Sequence, residues 1–229
     1  MLRLLDIVLA GIALLLISPF LIVVMLLLRF TGEGEVFFLQ ERVGFGGKPF
    51  KLFKLVTMRK KSETTGTGTV TMKNDPRVLP VGKFLRKTKL NELPQLMNIV
   101  IGDMSVVGPR PQTKRCFDAF PERSQREIVK VPPGLTGLGS IIFRDEEEIM
   151  GRAADPVACY DRVIMPYKGL VEEWFVQHQG LYTYAWVIIL TAWVIVFPKS
   201  QLIYRVFRTL PEPPPELAFK HDAALAAKA

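Results

Sequence analysis

The 229-residue sequence is poor in the side chains that build metal centres and disulfide frameworks. It has two cysteines and two histidines. Cys116 and Cys159 are far apart and form no CxxC pattern, so they read as free thiols of a reducing compartment. His178 and His221 have no partner at metal-ligand spacing, and they read as an interfacial histidine and a tail histidine. No Walker lysine motif, GxSxG elbow or GxGxxG fingerprint is present, which removes the commonest phosphate-loop, hydrolase and dinucleotide readings. There is no internal repeat. Helix-turn-helix, zinc-finger and RNA-binding aromatic signatures are also missing, so the formal charge of +8 does not point to nucleic acid.

The positive charge that is there falls in two clusters. Arg42, Lys48, Lys51, Lys54, Arg59, Lys60 and Lys61 form the first. Lys73, Arg77, Lys83, Arg86, Lys87 and Lys89 form the second. Both follow a long apolar run, a placement that suits anionic headgroups or phosphate ligands on the cytoplasmic side of a membrane.

That run, residues 7–28, carries no charge over 22 positions. As a helix it would reach roughly 33 Å, enough to cross a bilayer core. Its length and the lack of a small-residue cleavage site argue for a retained segment over a signal peptide. Ser18-Pro19 sits in the middle. The proline removes one helix hydrogen bond and predicts a kink, and the serine hydroxyl can satisfy a freed carbonyl. A kinked spanning helix and a helix-break-helix that returns to its own face both fit. Arg3 and Arg29 put positive charge on both flanks, which suits re-entry.

Further on, residues 36–40 and 50–58 read as short strands around a turn at Gly44-Phe45-Gly46-Gly47. Residues 62–71 form a Gly/Thr-rich loop. Short helices are expected at 81–86 and 93–101, the latter stopped by Gly102, and further helix at 117–129 and 155–179. A second uncharged run, 181–197, is short for a crossing. Tyr182, Tyr184, Trp186 and Trp193 mark it as a helix lying in the interface, with a second crossing as the alternative. The proline-rich stretch from Pro211 and the Ala/Lys tail read as disordered.

The chemistry concentrates in residues 75–111. Asn91-Glu92-Leu93-Pro94 has the grammar of a helix start, with Asn91 as N-cap. A helix N-terminus there would offer free N–H groups to a phosphate, and Glu92 would then require Mg²⁺ between two anions. Arg110, held between Pro109 and Pro111, can grip phosphate oxygens in a fork. Arg86 is the next phosphate candidate, and Lys54 and Arg144 are weaker ones. The acidic run after Arg144 reads as a solvated structural face.

These stretches resemble the bacterial sugar transferase family, the monotopic phosphoglycosyl transferases. The resemblance rests on Ser18-Pro19, ERVGFGGKPFKLFKL at 41–55, the 75–111 block with ELPQL and GDMSVVGPRP, and Pro133-Gly134-Leu135-Thr136-Gly137. It implies an α/β, mostly helical fold: a re-entrant membrane hairpin at 1–30, a small catalytic domain with short strands at 31–180, an interfacial helix at 181–210 and a disordered tail at 211–229. It implies a UDP-sugar donor, a polyprenol phosphate acceptor, Mg²⁺, membrane lipids as surroundings and the cytoplasmic face of the bacterial inner membrane as location. It also implies a covalent intermediate on the aspartate of an Asp-Glu dyad. Glu92 matches the dyad glutamate, Arg86 a basic residue before it, and Arg110 the arginine of the Pro-Arg-Pro motif. Asn91 stands where the nucleophilic aspartate is expected, and Val56 where a basic residue is common. A carboxamide is a poor nucleophile. Three expectations follow: Glu92 attacks instead, the lipid phosphate attacks directly, or the chain binds ligand without turnover.

Overall fold

The computed structural model describes residues 2–31, 34–60, 62–64 and 75–217. Most of the expected Gly/Thr-rich loop, together with Lys61, Lys73, His221 and the end of the tail, lies outside them. The described chain is mostly helical with short strands. Helix α1 spans Leu2–Phe30, and strands β1 (Phe37–Val43) and β2 (Pro49–Leu55) follow. Then come α2 (Pro80–Lys87), α3 (Gln95–Ile101), β3 (Ser105–Val107), α4 (Lys114–Asp118), α5 (Glu122–Ile128) and β4 (Gly134–Thr136). The chain continues through α6 (Leu138–Ile142), α7 (Glu146–Arg152), α8 (Pro156–Cys159), a π-helical turn at Tyr160–Ile164, α9 (Met165–Gln177), α10 (Leu181–Val196) and α11 (Leu202–Val206).

Helix α1 runs without interruption through Pro19, so the expected break between two helices is replaced by one continuous helix. The Ser18 hydroxyl donates to the Leu15 carbonyl at 2.8 Å, an acceptor that the helix turn at Pro19 leaves short of donors. At ~1.5 Å per residue the helix is about 43 Å long. It does not stand off the body at one end. Near its start, Arg3 donates to the carbonyls of Val100 and Met104. Asp6 accepts from Ser105 Oγ, Val106 N–H and Tyr184 OH at 2.8–2.9 Å. Ala10 packs with Leu52, Leu96, Ile99 and Met104. Toward its end, Leu21, Val24 and Leu28 pack with Leu55 and Leu85. The remaining surface of α1 is apolar and exposed, with Leu15 and Leu16 each at 74%.

β1 and β2 pair antiparallel, with Phe38 opposite Lys54, Gln40 opposite Leu52 and Arg42 opposite Phe50. Side chains alternate along a strand, so Gln40 and Arg42 share one face, and Lys54 lies diagonally across from Gln40 on that face. β3 and β4 pair in parallel. Their backbones approach closely at the ends: a Cβ on Gly134 would lie 2.0 Å from Gly108 N. Only glycine fits, and the contact fixes where the next residues, Pro109 and Arg110, begin.

The principal core gathers Val107, Phe117, Leu138, Ile164, Val171, Tyr204 and Leu210 with one face of α10. Three expectations change here. Residues 117–129 form not one helix but two, broken around Ala119 and Pro121. Residues 134–136, where no strand was expected, form β4. The start of the expected disordered tail is placed: Leu217 is buried, and the Tyr167 hydroxyl donates to the Pro211 carbonyl. Proline-rich composition biases a chain against helix and strand, but it does not stop apolar side chains from docking on a core.

Candidate phosphate-binding site

The hairpin, the turn before α3 and the loop after β3 converge on Glu92. The expected N-cap arrangement is not what places it. Asn91 and Glu92 lie in a 3₁₀ turn, Leu90–Glu92, and the N-cap of α3 is Pro94. The Asn91 side chain caps nothing, and its buried Oδ1 has no hydrogen-bond partner. Pro94 takes the cap position because Leu93 and Pro94 are already turned helically, leaving α3 too short for a helix-terminus phosphate site.

Arg110 reaches Glu92 with both ends of its guanidinium: Nη2 to Oε1 at 2.7 Å and Nη1 to Oε2 at 3.1 Å. Such fork-to-fork pairs are strong and directional. Burial would push the Glu92 carboxyl up. The Arg110 guanidinium, with Lys54 and Lys89 behind it, outweighs burial and holds the group well below the usual carboxylate range.

The face of the β1–β2 hairpin adds two cations. Arg42 donates Nε and Nη2 to Gln40 Oε1, and its Nη1 donates to the Pro111 carbonyl at 3.0 Å. Lys54 Nζ donates to the same Gln40 oxygen at 3.3 Å. Neither cation has a carboxylate partner among the described residues. Burial, and then the neighbouring Arg110, lower Arg42 to about 10. Burial, and then Arg42, pull the Lys54 amine well below the ordinary lysine value. Arg86 sits at the edge and pairs loosely with Glu147 at 3.6 Å. The acidic run 145–148 is largely solvated, as expected: Glu147 is exposed and only loosely paired with Arg86, while the half-buried Glu146 binds Lys168 of α9.

Arg144 is not brought in. It is exposed and makes no hydrogen bond or ion pair among the described residues, because the turn before α7 directs it outward. Arg42 and Gln40 are the residues that sequence reasoning did not single out. Their signal was the i, i+2 spacing that puts both on the strand face beside Lys54. Val56 is a buried core residue. Among the described residues there is no group of three or more His, Cys, Asp or Glu side chains placed to hold a metal. Both Glu92 oxygens are held by Arg110, and the buried Asn91 Oδ1 has no hydrogen-bond partner.

This arrangement gathers the cations Arg42, Lys54 and Arg110 around one carboxylate, Glu92. The family model described as bacterial sugar transferase matches residues 1–198. The chain belongs to the bacterial sugar transferase family. It is 43% identical over 152 residues to a putative undecaprenyl-phosphate N-acetylgalactosaminyl 1-phosphate transferase of Bacillus subtilis, covering 66% of this chain and 80% of that protein. It is 37% identical to the exopolysaccharide production protein ExoY of Rhizobium meliloti, covering 65% and 72%. It is 44% identical over 138 residues to the UDP-glucose:undecaprenyl-phosphate glucose-1-phosphate transferase of Escherichia coli, covering 59% of this chain. The match spans only 30% of the length of that last relative.

Proposed function

We propose that this protein transfers sugar 1-phosphate from a UDP-sugar to undecaprenyl or another polyprenyl phosphate, releasing UMP, as a membrane step of surface-glycan synthesis. The observation that carries the reading is the pair of half-buried cations, Arg42 and Lys54, anchored on a neutral amide beside the Arg110–Glu92 fork. A desolvated cation without a counter-ion is costly. A bound diphosphate supplies the missing charge. The named activities of the relatives support the same substrates.

The sugar-linked phosphorus is the electrophile. An oxygen of the lipid phosphate bonds to it, and the bond to the bridging oxygen breaks, with that oxygen leaving on UMP. We assign the attack to the lipid phosphate directly. Both oxygens of Glu92 are engaged by Arg110, its basicity is depressed, and the Asn91 amide is no nucleophile. Arg42, Lys54 and Arg110 hold the diphosphate and stabilise charge as it moves to UMP.

Glu92 and Asn91 Oδ1 are the groups that would hold Mg²⁺, in competition with Arg110 at Glu92, with water and substrate phosphates as its other ligands. Bound there, it would neutralise the diphosphate. With so many cations around, the metal should enter together with the nucleotide.

The proposed seat is the cytoplasmic face of the bacterial inner membrane. The packing of both ends of α1 on one body supports a re-entrant anchor with both termini on that side. α10 supports an interfacial position: Val187 and Leu190 are buried, while Ile189 and Ile195 are exposed.

A panel of UDP-sugars with polyprenyl phosphate and Mg²⁺, read by UMP release, tests the reaction. Saturable UDP-sugar binding without UMP from any donor overturns it in favour of a binding protein. Intact mass after donor alone tests the route: no adduct is expected, and a phosphosugar adduct lost in Glu92→Gln overturns direct attack.

A further inference from the structure

Asp6 is the one carboxylate on α1, buried at 4% exposure near the start of an otherwise apolar helix. An ionisable side chain there is costly beside lipid unless protein groups satisfy it. Its Oδ1 accepts three hydrogen bonds: from Ser105 Oγ at 2.9 Å, from Val106 N–H at 2.8 Å and from Tyr184 OH at 2.8 Å. The partners lie 99, 100 and 178 positions away in the chain. One oxygen thus joins α1 to β3 and to α10.

The strand needs this acceptor. β3 pairs with β4 through Ser105 and Val107, so the Val106 N–H between them faces the open side of β3. Asp6 supplies the partner that a third strand would otherwise give. Beyond β3 the chain is fixed at each step toward Arg110. The Gly108 N–H donates to the Thr136 carbonyl at 2.9 Å, and the Gly134 N–H donates to the Pro109 carbonyl at 2.8 Å. Pro109 and Pro111 then restrict the backbone on either side of Arg110. A shift of β3 is therefore passed on to Arg110. The start of α1 also holds the segment that follows Glu92. Arg3 donates to the carbonyls of Val100, in α3, and Met104, and Ala10 packs with Leu96 and Ile99 of α3. Both halves of the Arg110–Glu92 fork rest on elements that the first turns of α1 hold.

We propose that Asp6 is a positioning residue: it fixes β3, and through β3 the loop 108–111, against the membrane anchor, and so sets where the Arg110 guanidinium meets Glu92 and the substrate phosphates. The kinetic part of this inference rests on the transfer reaction proposed above. The first turns of α1 are then part of the foundation of the site as well as of the anchor, and Tyr184 ties α10 to the same point.

The test uses the full chain in lipid nanodiscs, with kcat/KM read by UMP release and Tm by thermal unfolding. Asp6→Ala should lower kcat/KM about 100-fold, the scale of displacing a reactive group by about an ångström. Asp6→Asn keeps an accepting oxygen in place and should recover most of that loss. Ser105→Ala and Tyr184→Phe each remove one donor to the same Oδ1, but only Ser105 lies on the path to Arg110. Ser105→Ala should lower kcat/KM about 10-fold, a smaller displacement of the same loop. Tyr184→Phe should lower Tm and leave kcat/KM at the wild-type value. A carboxylate that only secures α1 would instead make rate follow Tm in both. A folded Asp6→Ala protein with wild-type kcat/KM overturns the proposal. So does an Asp6→Asn protein as slow as Asp6→Ala, or a Tyr184→Phe protein that loses as much rate as Ser105→Ala. If Asp6→Ala does not fold, Ser105→Ala and Tyr184→Phe decide. If wild type releases no UMP, the transfer reading fails. The inference is then decided by UDP affinity, which should weaken in Asp6→Ala and Ser105→Ala but not in Tyr184→Phe; unchanged affinity in all three overturns it.

Discussion

Two clusters of buried charge, one around the Arg110 side chain and one on α9, are balanced differently. Around the guanidinium, Arg42, Lys54 and Arg110 face the single carboxylate of Glu92. On α9, carboxylates predominate: Glu172 and Glu173 with Glu146 of α7, against Lys168 and Arg123. In the α9 cluster most charges find partners inside the protein, and the whole is architecture. In the first, two cations rest on a neutral amide. Incomplete pairing of cations is what the proposed phosphate ligands would complete.

The comparison breaks most sharply at Arg110. Arg110→Ala should reduce UMP release at least ~10³-fold, because it removes the donor aimed at the phosphates. It also leaves the buried Glu92 charge unpaired, which should cost about 3–5 kcal/mol of stability in chemical denaturation. Next is Arg42→Ala. It should raise KM for the UDP-sugar and lower kcat/KM about 100-fold, the scale of losing one preorganised phosphate donor. Stability should change little or rise, since a cation with no carboxylate partner is removed. If Arg42→Ala is strongly destabilising and UDP affinity is unchanged, Arg42 belongs with the architectural charges and the contrast fails. Asn91→Asp adds a second carboxylate beside Glu92 and should permit a phosphosugar adduct, visible by intact mass with donor alone. On the other side of the comparison, Ser124→Ala removes the hydroxyl held by Glu173 at 2.6 Å. It should cost about 1–3 kcal/mol of stability without altering kcat or KM. The smallest effect is expected at the surface pair Lys114–Asp118, where Lys114→Ala should change stability by less than about 0.5 kcal/mol.

Much of the fold was legible because its signals are local. The apolar run of α1, the turn at Gly44-Phe45-Gly46-Gly47 and the stop at Gly102 depend on neighbours within a few residues. Where local grammar misled, a tertiary contact had overridden it. Asn91 has N-cap chemistry, but the chain turns into a 3₁₀ geometry first. Residues 134–136 sit among helix breakers, yet they find β3 and become a strand. Pro211 begins a stretch of disordered composition, yet Leu217 finds the core. The same holds for the site. Glu92, Arg110, Arg86 and Lys54 could be named from residue type and spacing, while Arg144 has the same chemistry and points away.

The sequence by itself determined that this protein has an apolar anchor, a basic and phosphate-directed body and a 75–111 block specific enough to name its family. Composition and short-range order carry those facts. Only the tertiary structure decided that α1 lies against the body at both ends and that Arg42 and Lys54 share Gln40 beside the Arg110–Glu92 fork. Those contacts join residues far apart in the chain, 69 positions between Arg42 and Pro111 and 18 between Glu92 and Arg110. Hydrogen bonds and desolvation act on distance in space, and no local pattern records which distant side chain will be there.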